Sequence, residues 1–424
     1  MRWSWVLLTN LALAGTVPGA VALDATHTLH HARTAHLIQP RRAVKHAATT
    51  TAKAAGTHAS VAHSSRVAAN GAPTIRRTRL GVRHHYYERF TASSFAVGNI
   101  FADDVTAGED PVVRQAAIDA LGDMNGTAVV INPANGRILA MVNQKLALSP
   151  GAEPCSTIKL SVAMAALSEG LVTRDTMVQL PGFRMNMTQA LAKSNNLYFE
   201  ELGRELGFDR VRHYANEFGL GELAGYNIPG EQLGMYPEQA LPEAEGGVGR
   251  MCSFGQGVSM TPLQLGAFVA AIANGGTLYY LQHPATAEEV AGFEPHVKRT
   301  LDIARFVPDL QDGMAGAVEY GTARSLRASF TELPVFGKTG TCSDKGTRFG
   351  WFASYSDSPV GSIVTVFFLE GGRPTFGPRA AELTGAFYRN LWDRNYFADK
   401  AQTTAALTPV STTPGAGSSQ GSNQ

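Results

Sequence analysis

Residues 160–167, Leu-Ser-Val-Ala-Met-Ala-Ala-Leu, carry no charge and a single hydroxyl. A helix through them has no polar stripe, so other elements must surround it on most sides. The run opens with Pro154-Cys155-Ser156-Thr157-Ile158-Lys159, and the helix is read as starting at Ser156. A serine at the head of a buried helix has a rigid mount. A lysine three residues on shares its face, near enough to accept the serine proton. The chain's 424 residues, 44% hydrophobic and 17% charged, suffice for one large domain with tails or two to three average domains.

Elements that can enclose such a helix lie on both sides of it. Residues 112–121 form an amphipathic helical pattern. Residues 127–131 and 137–142 are strand-like and joined by Asn132-Pro133-Ala134-Asn135-Gly136, which predicts a hairpin. Residues 171–280 read as helices over 187–205, 208–218 and 261–274, with Thr261-Pro262 placed as N-cap and first-turn proline. A further helix is expected over 307–324, strands over 333–341, 349–355 and 363–369, and a closing helix over 379–392. The predicted fold is α+β: a mostly antiparallel five-stranded sheet flanked by helices, with an all-helical insertion.

The formal charge of +1 hides an asymmetry. Residues 24–86 hold ten Lys or Arg against Asp24 alone, a local +9 that leaves −8 on the rest. A basic leader on a mildly acidic body is a tail, not a nucleic-acid-binding domain. Arg2, the apolar stretch 3–17 and Ala20-Val21-Ala22 read as an export signal over residues 1–22. Cleavage is favoured over retention as an anchor, because the apolar run is shorter than the roughly 20 residues a spanning helix needs. Residues 23–83, rich in Ala, Thr, His, Arg and Ser, read as a disordered basic tether, and residues 399–424 as a disordered tail. That leaves residues 84–398 as the catalytic domain of a protein exported to the periplasm or cell envelope.

Two further stretches give the Ser156/Lys159 pair its meaning. One is Lys193-Ser194-Asn195-Asn196 in the helical region, and the other is Gly337-Lys338-Thr339-Gly340-Thr341 on a strand. Ser-x-x-Lys, Ser-x-Asn and Lys-Thr-Gly in that order are the signature of penicillin-binding proteins and serine β-lactamases. The chemistry fits acyl transfer. Lys159 accepts the proton of Ser156, Ser194 relays one toward the leaving group, and Asn196 holds the acyl-side amide. Lys338, Thr339 and Thr341 bind a substrate carboxylate, and Gly340 lets substrate lie against the strand. A nucleotide P-loop is excluded, because Glu332 stands where that motif needs its first glycine. Glu231 is read as structural, since nothing pairs it with a water-activating site. No zinc-type ligand set appears, so neither metal nor cofactor is expected.

Over residues 110–393 the chain resembles the transpeptidase domain of penicillin-binding proteins, of the monofunctional type. Beyond the three motifs, the resemblance rests on residues 126–141, Phe218-Gly219-Leu220-Gly221, Ile228-Pro229-Gly230-Glu231, Ser253-Phe254-Gly255-Gln256-Gly257, Thr261-Pro262-Leu263-Gln264 and Gly321-Thr322-Ala323. It implies an oxyanion hole made by the backbone N–H groups of Ser156 and Thr341. It also implies a peptidoglycan stem peptide as substrate and β-lactams as covalent inhibitors. The basic tether would touch the wall or a membrane surface. Pedestal, glycosyltransferase and wall-binding domains are expected to be missing, which leaves transpeptidase, carboxypeptidase, β-lactamase and β-lactam sensor as outcomes. The deacylating Glu-x-x-Leu-Asn stretch of one β-lactamase class is absent, and Asn196 departs from the valine of another.

The resemblance also exposes two departures. Glycine is usual where Cys155 stands, and a small residue such as alanine at Cys342. Taken alone, Cys155, Cys252 and Cys342 are three small buried hydrophobes. If the fold is as implied, however, Cys155 and Cys342 flank one site, either as a disulfide or redox-sensitive pair or as independent thiols. A Cα separation above about 7 Å would rule the bridge out.

Overall fold

The computed structural model describes residues 90–358 and 361–398. The segments read above as export signal, tether and tail, and residues 84–89 of the expected catalytic domain, lie outside the described residues.

All five expected strands form one sheet. They are β1 (Gly126–Asn132), β2 (Arg137–Val142), β3 (Val335–Asp344), β4 (Thr347–Ser356) and β5 (Ile363–Gly371), in the order β2-β1-β5-β4-β3, with every pair antiparallel. The sheet is buried on both faces, so alternate side chains enter two different apolar layers. Val129, Ile131, Trp351, Ala353, Val366 and Phe368 point to one layer; Ala128, Val130, Phe352, Phe367 and Leu369 point to the other.

The helices that form these layers are α1 (Pro111–Leu121), α2 (Lys159–Ser168), α3 (Met187–Ala192), α4 (Asn196–Leu206), α5 (Phe208–Glu217), α6 (Gly247–Phe254), α7 (Pro262–Ala273), α8 (Val307–Glu319) and α9 (Gly377–Asp393). Helices α1 and α9 cover the second face, and α2 and α7 join the core on the first. Every residue of α2 from Lys159 to Leu167 is buried, as a helix without a polar stripe requires. The start of α7 is fixed by a capping box. Thr261 Oγ1 accepts from the N–H of Gln264, and Gln264 Oε1 accepts from the N–H of Thr261.

The expectation of an all-helical insertion needs correction. Between α2 and β3 run two short antiparallel ribbons, Val178–Leu180 with Phe183–Met185, and Thr277–Tyr279 with Val297–Thr300. The first closes over Pro181-Gly182, where Gly182 takes φ +84°, a turn a helical reading passes over. The second pairs segments far apart in sequence, so no local pattern announces it.

Candidate active site

The chain reaches Ser156 through a sharp turn. Cys155 lies at φ +52°, in the left-handed region where a residue with a Cβ is disfavoured. From Cys155 to Ile158 the backbone is a 3-10 turn, and α2 begins only at Lys159, three residues later than expected. The difference has a chemical consequence. Side chains three apart eclipse on a 3-10 turn, and Lys159 Nζ stands 3.0 Å from Ser156 Oγ.

Neighbouring backbone presses on this turn from two sides. A Cβ built on Gly340 of β3 would lie 2.8 Å from the carbonyl oxygen of Pro154 and 3.1 Å from Thr157 Cγ2. One built on Gly255, just past the end of α6, would lie 2.4 Å from Pro154 Cγ. Both glycines therefore admit close approach of one backbone segment to another. The bare Cα of Gly340, expected from the sequence to let substrate lie along the strand, also faces the turn that leads to Ser156. Trp351 Nε1 donates to the carbonyl of Glu153 at 3.1 Å, holding the approach to the turn from β4.

The Ser-x-Asn residues lie in a break. The helix expected over 187–205 divides into α3 and α4, with Ser194 between them at φ +53°. The break aims two oxygens of one residue at one amine. Lys159 Nζ donates to the Ser194 carbonyl at 2.9 Å and lies 3.2 Å from Ser194 Oγ, with Asn196 Oδ1 at 2.6 Å. Gly321 and Thr322 brace the end of α3. The Thr322 N–H donates to the Ala192 carbonyl at 3.1 Å, and a Cβ on Gly321 would strike the same oxygen.

Lys338 comes from β3, and its Nζ donates to Ser194 Oγ at 2.8 Å and to the Thr339 carbonyl at 2.9 Å. One hydroxyl thus joins two buried amines. Both lysines are fully buried, and burial disfavours a charged amine. It brings Lys159 down to about 7, partly offset by the negative charge of Glu200. Lys338 is held well below the ordinary range by burial and by the charge of Lys159.

Ser156, Ser194, Asn196, Thr339 and Thr341 line a cleft of about 250 Å³, together with Phe254, Thr322 and Pro378. The structure brings Ser156, Lys159, Ser194, Asn196 and Lys338 into one hydrogen-bonded cluster, with Thr339 and Thr341 at its rim. Thr322 was not singled out from the sequence as a site residue. Its Oγ1 lies 2.6 Å from Thr339 Oγ1, and the Gly321-Thr322-Ala323 motif was the signal that could have found it. Thr341 Oγ1 accepts from the N–H of Gly377 at the start of α9. Cys155 and Cys342 form a disulfide, their Cα atoms 5.5 Å apart. Cys252 is free and buried, and burial pushes its thiol up to about 12.

Comparison with known proteins points to one family. The family described as penicillin binding protein transpeptidase domain matches residues 126–384. Stage V sporulation protein D of Bacillus subtilis is 31% identical over 258 residues, covering 50% of this chain and 39% of that protein. Peptidoglycan D,D-transpeptidase MrdA of Acinetobacter baumannii is 25% identical over 360 residues, covering 66% and 52%. The chain thus spans about half or less of these relatives. Among solved structures, a peptidoglycan glycosyltransferase from Burkholderia ambifaria aligns with a TM-score of 0.57 at 20% identity, over 68% of this chain and 98% of that one. Pseudomonas aeruginosa PBP2 in complex with WCK 5153 gives 0.55 at 23% identity, over 68% and 74%. At these identities the likeness is one of fold.

Proposed function

The chain belongs to the penicillin-binding protein transpeptidase family, and from that premise we propose a serine acyltransferase acting on D-Ala-D-Ala stem peptides. Ser156 is the nucleophile and Lys159 its base. The observation that carries the reading is the 3.0 Å contact between Lys159 Nζ and Ser156 Oγ, made by an amine that burial brings to about 7. Near neutrality a large share of such an amine is unprotonated and able to accept the hydroxyl proton as Oγ attacks the peptide carbonyl carbon.

The remaining residues follow in order. Backbone N–H groups of Ser156 and Thr341 receive the negative charge that develops on the carbonyl oxygen. The C–N bond then breaks, and the leaving D-alanine nitrogen takes a proton handed from Lys159 through Ser194 Oγ. Asn196 holds the acyl-side amide and steadies Lys159. Thr339 and Thr341 offer hydroxyls to the terminal carboxylate, whose arrival favours the protonated form of Lys338 behind them. The resulting ester passes its acyl group to an amine, giving a cross-link, or to water. A β-lactam enters by the same attack. None of the side chains that line the cleft is a carboxylate, which supports slow hydrolysis of the ester over a β-lactamase outcome.

Residues 84–398 are the catalytic domain in this reading, exported by residues 1–22 to the cell envelope. The tether 23–83 contacts wall polymer or an anionic membrane surface, and 399–424 is a tail. The test uses a fluorescent penicillin and a chromogenic lactam on the protein and its Ser156→Ala variant. A Ser156-dependent adduct that lasts many minutes is the expected result. Rapid hydrolysis of the lactam would replace the reading with a β-lactamase, and absence of labelling would overturn the catalytic assignment.

A further inference from the structure

The bridge between Cys155 and Cys342 joins residues 187 apart in sequence and sits one residue from Ser156 on one side and one from Thr341 on the other. Three alternate residues of β3 reach toward the nucleophile's side of the sheet. Lys338 bonds Ser194, Gly340 closes on the Pro154 carbonyl, and Cys342 is covalently joined to Cys155. The first two contacts hold the motif that carries the chemistry. The third holds the residue whose backbone sets the direction of Ser156.

That residue has a conformational problem. Cys155 stands at φ +52°, where glycine is the residue without a steric penalty. A Cβ at this position favours relaxation toward negative φ, which would swing the following residue, Ser156, off its line with Lys159 and β3. The Cβ of Cys155 instead carries the sulfur that is bonded to β3. The side chain that disfavours the turn is also the tie that prevents its release.

We propose that the Cys155–Cys342 disulfide is a positioning cross-link of the active site: it holds the left-handed turn at Cys155 in place of a glycine, and so keeps Ser156 against β3 beside Thr341. The inference rests on Ser156 as nucleophile. Its consequence is kinetic, because a displacement of about 1 Å at a nucleophile costs up to about 100-fold in rate.

The experiment compares second-order rates of labelling by a fluorescent penicillin for the full chain and two double variants, with folding checked by circular dichroism. Cys155→Ala with Cys342→Ala keeps the Cβ and loses the tie; labelling should fall about tenfold or more. Cys155→Gly with Cys342→Ala loses the tie and also the reason for it; labelling should return to within about threefold of the parent. Native protein treated with dithiothreitol, its thiols counted by alkylation and mass, should slow like the alanine pair. A folded alanine pair that labels at the parental rate, or a folded glycine pair as slow as the alanine pair, overturns the proposal. Should the alanine pair not fold, the reduced protein decides, and an unchanged rate after reduction overturns it. A parent that does not label at all overturns the nucleophile assignment and this inference with it, an outcome distinct from parent and variants labelling alike.

Discussion

Lys338 and Lys159 meet at one atom, the Oγ of Ser194, at 2.8 Å and 3.2 Å. Two ammonium groups sharing one hydroxyl away from water repel strongly, so the cluster favours a state in which one of them is neutral. The site therefore behaves as a coupled pair spanning Ser156, Lys159, Ser194 and Lys338, not as an isolated serine and base.

The first prediction is a pH profile. As the proposed base, Lys159 acts only when unprotonated, and burial brings it to about 7. Labelling of Ser156 by a penicillin should rise with pH through a midpoint near 7 and level off above it. Folding stability should follow with its own sign. Between about 7 and the ordinary 10.5 the unfolded lysine binds more protons than the folded one, so stability gains as pH rises through that window. The stability difference between the parent and Lys159→Met, measured by denaturation across this range, isolates the effect. A labelling rate that is flat from acid to alkaline pH would refute the assignment of Lys159 as base.

Ser194 gives a second prediction. Its carbonyl, 2.9 Å from Lys159 Nζ, stays in any substitution; its hydroxyl does not. Ser194→Gly suits the φ of +53° and removes the relay hydroxyl, which also accepts from Lys338 Nζ at 2.8 Å. Labelling should drop on the order of 100-fold, with a melting temperature close to the parent's. A change under about threefold would assign Ser194 a structural role only.

Much of this was legible in the chain, for identifiable reasons. Short apolar runs and the turn after Asn132 announced the strands, and the lack of a polar stripe in 160–167 announced a helix enclosed by other elements. The three motifs announced their own proximity, because each brings part of one chemistry. What escaped depends on contacts distant in sequence. The stretch 187–205 is helical by pattern, yet Ser194 leaves the helix so that both its oxygens reach Lys159, and no proline or glycine marks the break. The second neighbour of Gly340, the Pro154 carbonyl, was not legible because it lies nearly two hundred residues earlier. Cys155 and Cys342 were open between bridge and thiols until the 5.5 Å between their Cα atoms decided it.

Gly340 supports a third prediction. A methyl group there would lie 2.8 Å from the Pro154 oxygen and 3.1 Å from Trp351 Cβ, so either the turn before Ser156 or the strand must move. Gly340→Ala should cost about 1–3 kcal/mol of stability, as overpacking does, and slow labelling by a larger factor than the stability loss would suggest. Thermal denaturation beside labelling rates checks both. A variant that labels at the parental rate would mean that β3 and the turn tolerate separation.

Glu200 offers the last prediction, and its sign is the informative part. It sits on α4 one turn beyond Asn196, only partly exposed, with Arg204 Nη2 at 3.2 Å and Ser253 Oγ at 3.5 Å. Its charge raises the proton affinity of Lys159 against the lowering by burial. Glu200→Gln keeps an oxygen for Arg204, turns its amide N–H toward Ser253 Oγ and removes the charge, so the amine should lose its proton more readily. The acid limb of the labelling profile should move to lower pH, making the variant faster than the parent at pH near 6 and equal to it on the alkaline plateau. A merely structural role would lower the rate at every pH alike. An acid limb that stays in place would show that burial and hydrogen bonds alone set the base, with Glu200 serving to anchor Arg204 on its helix.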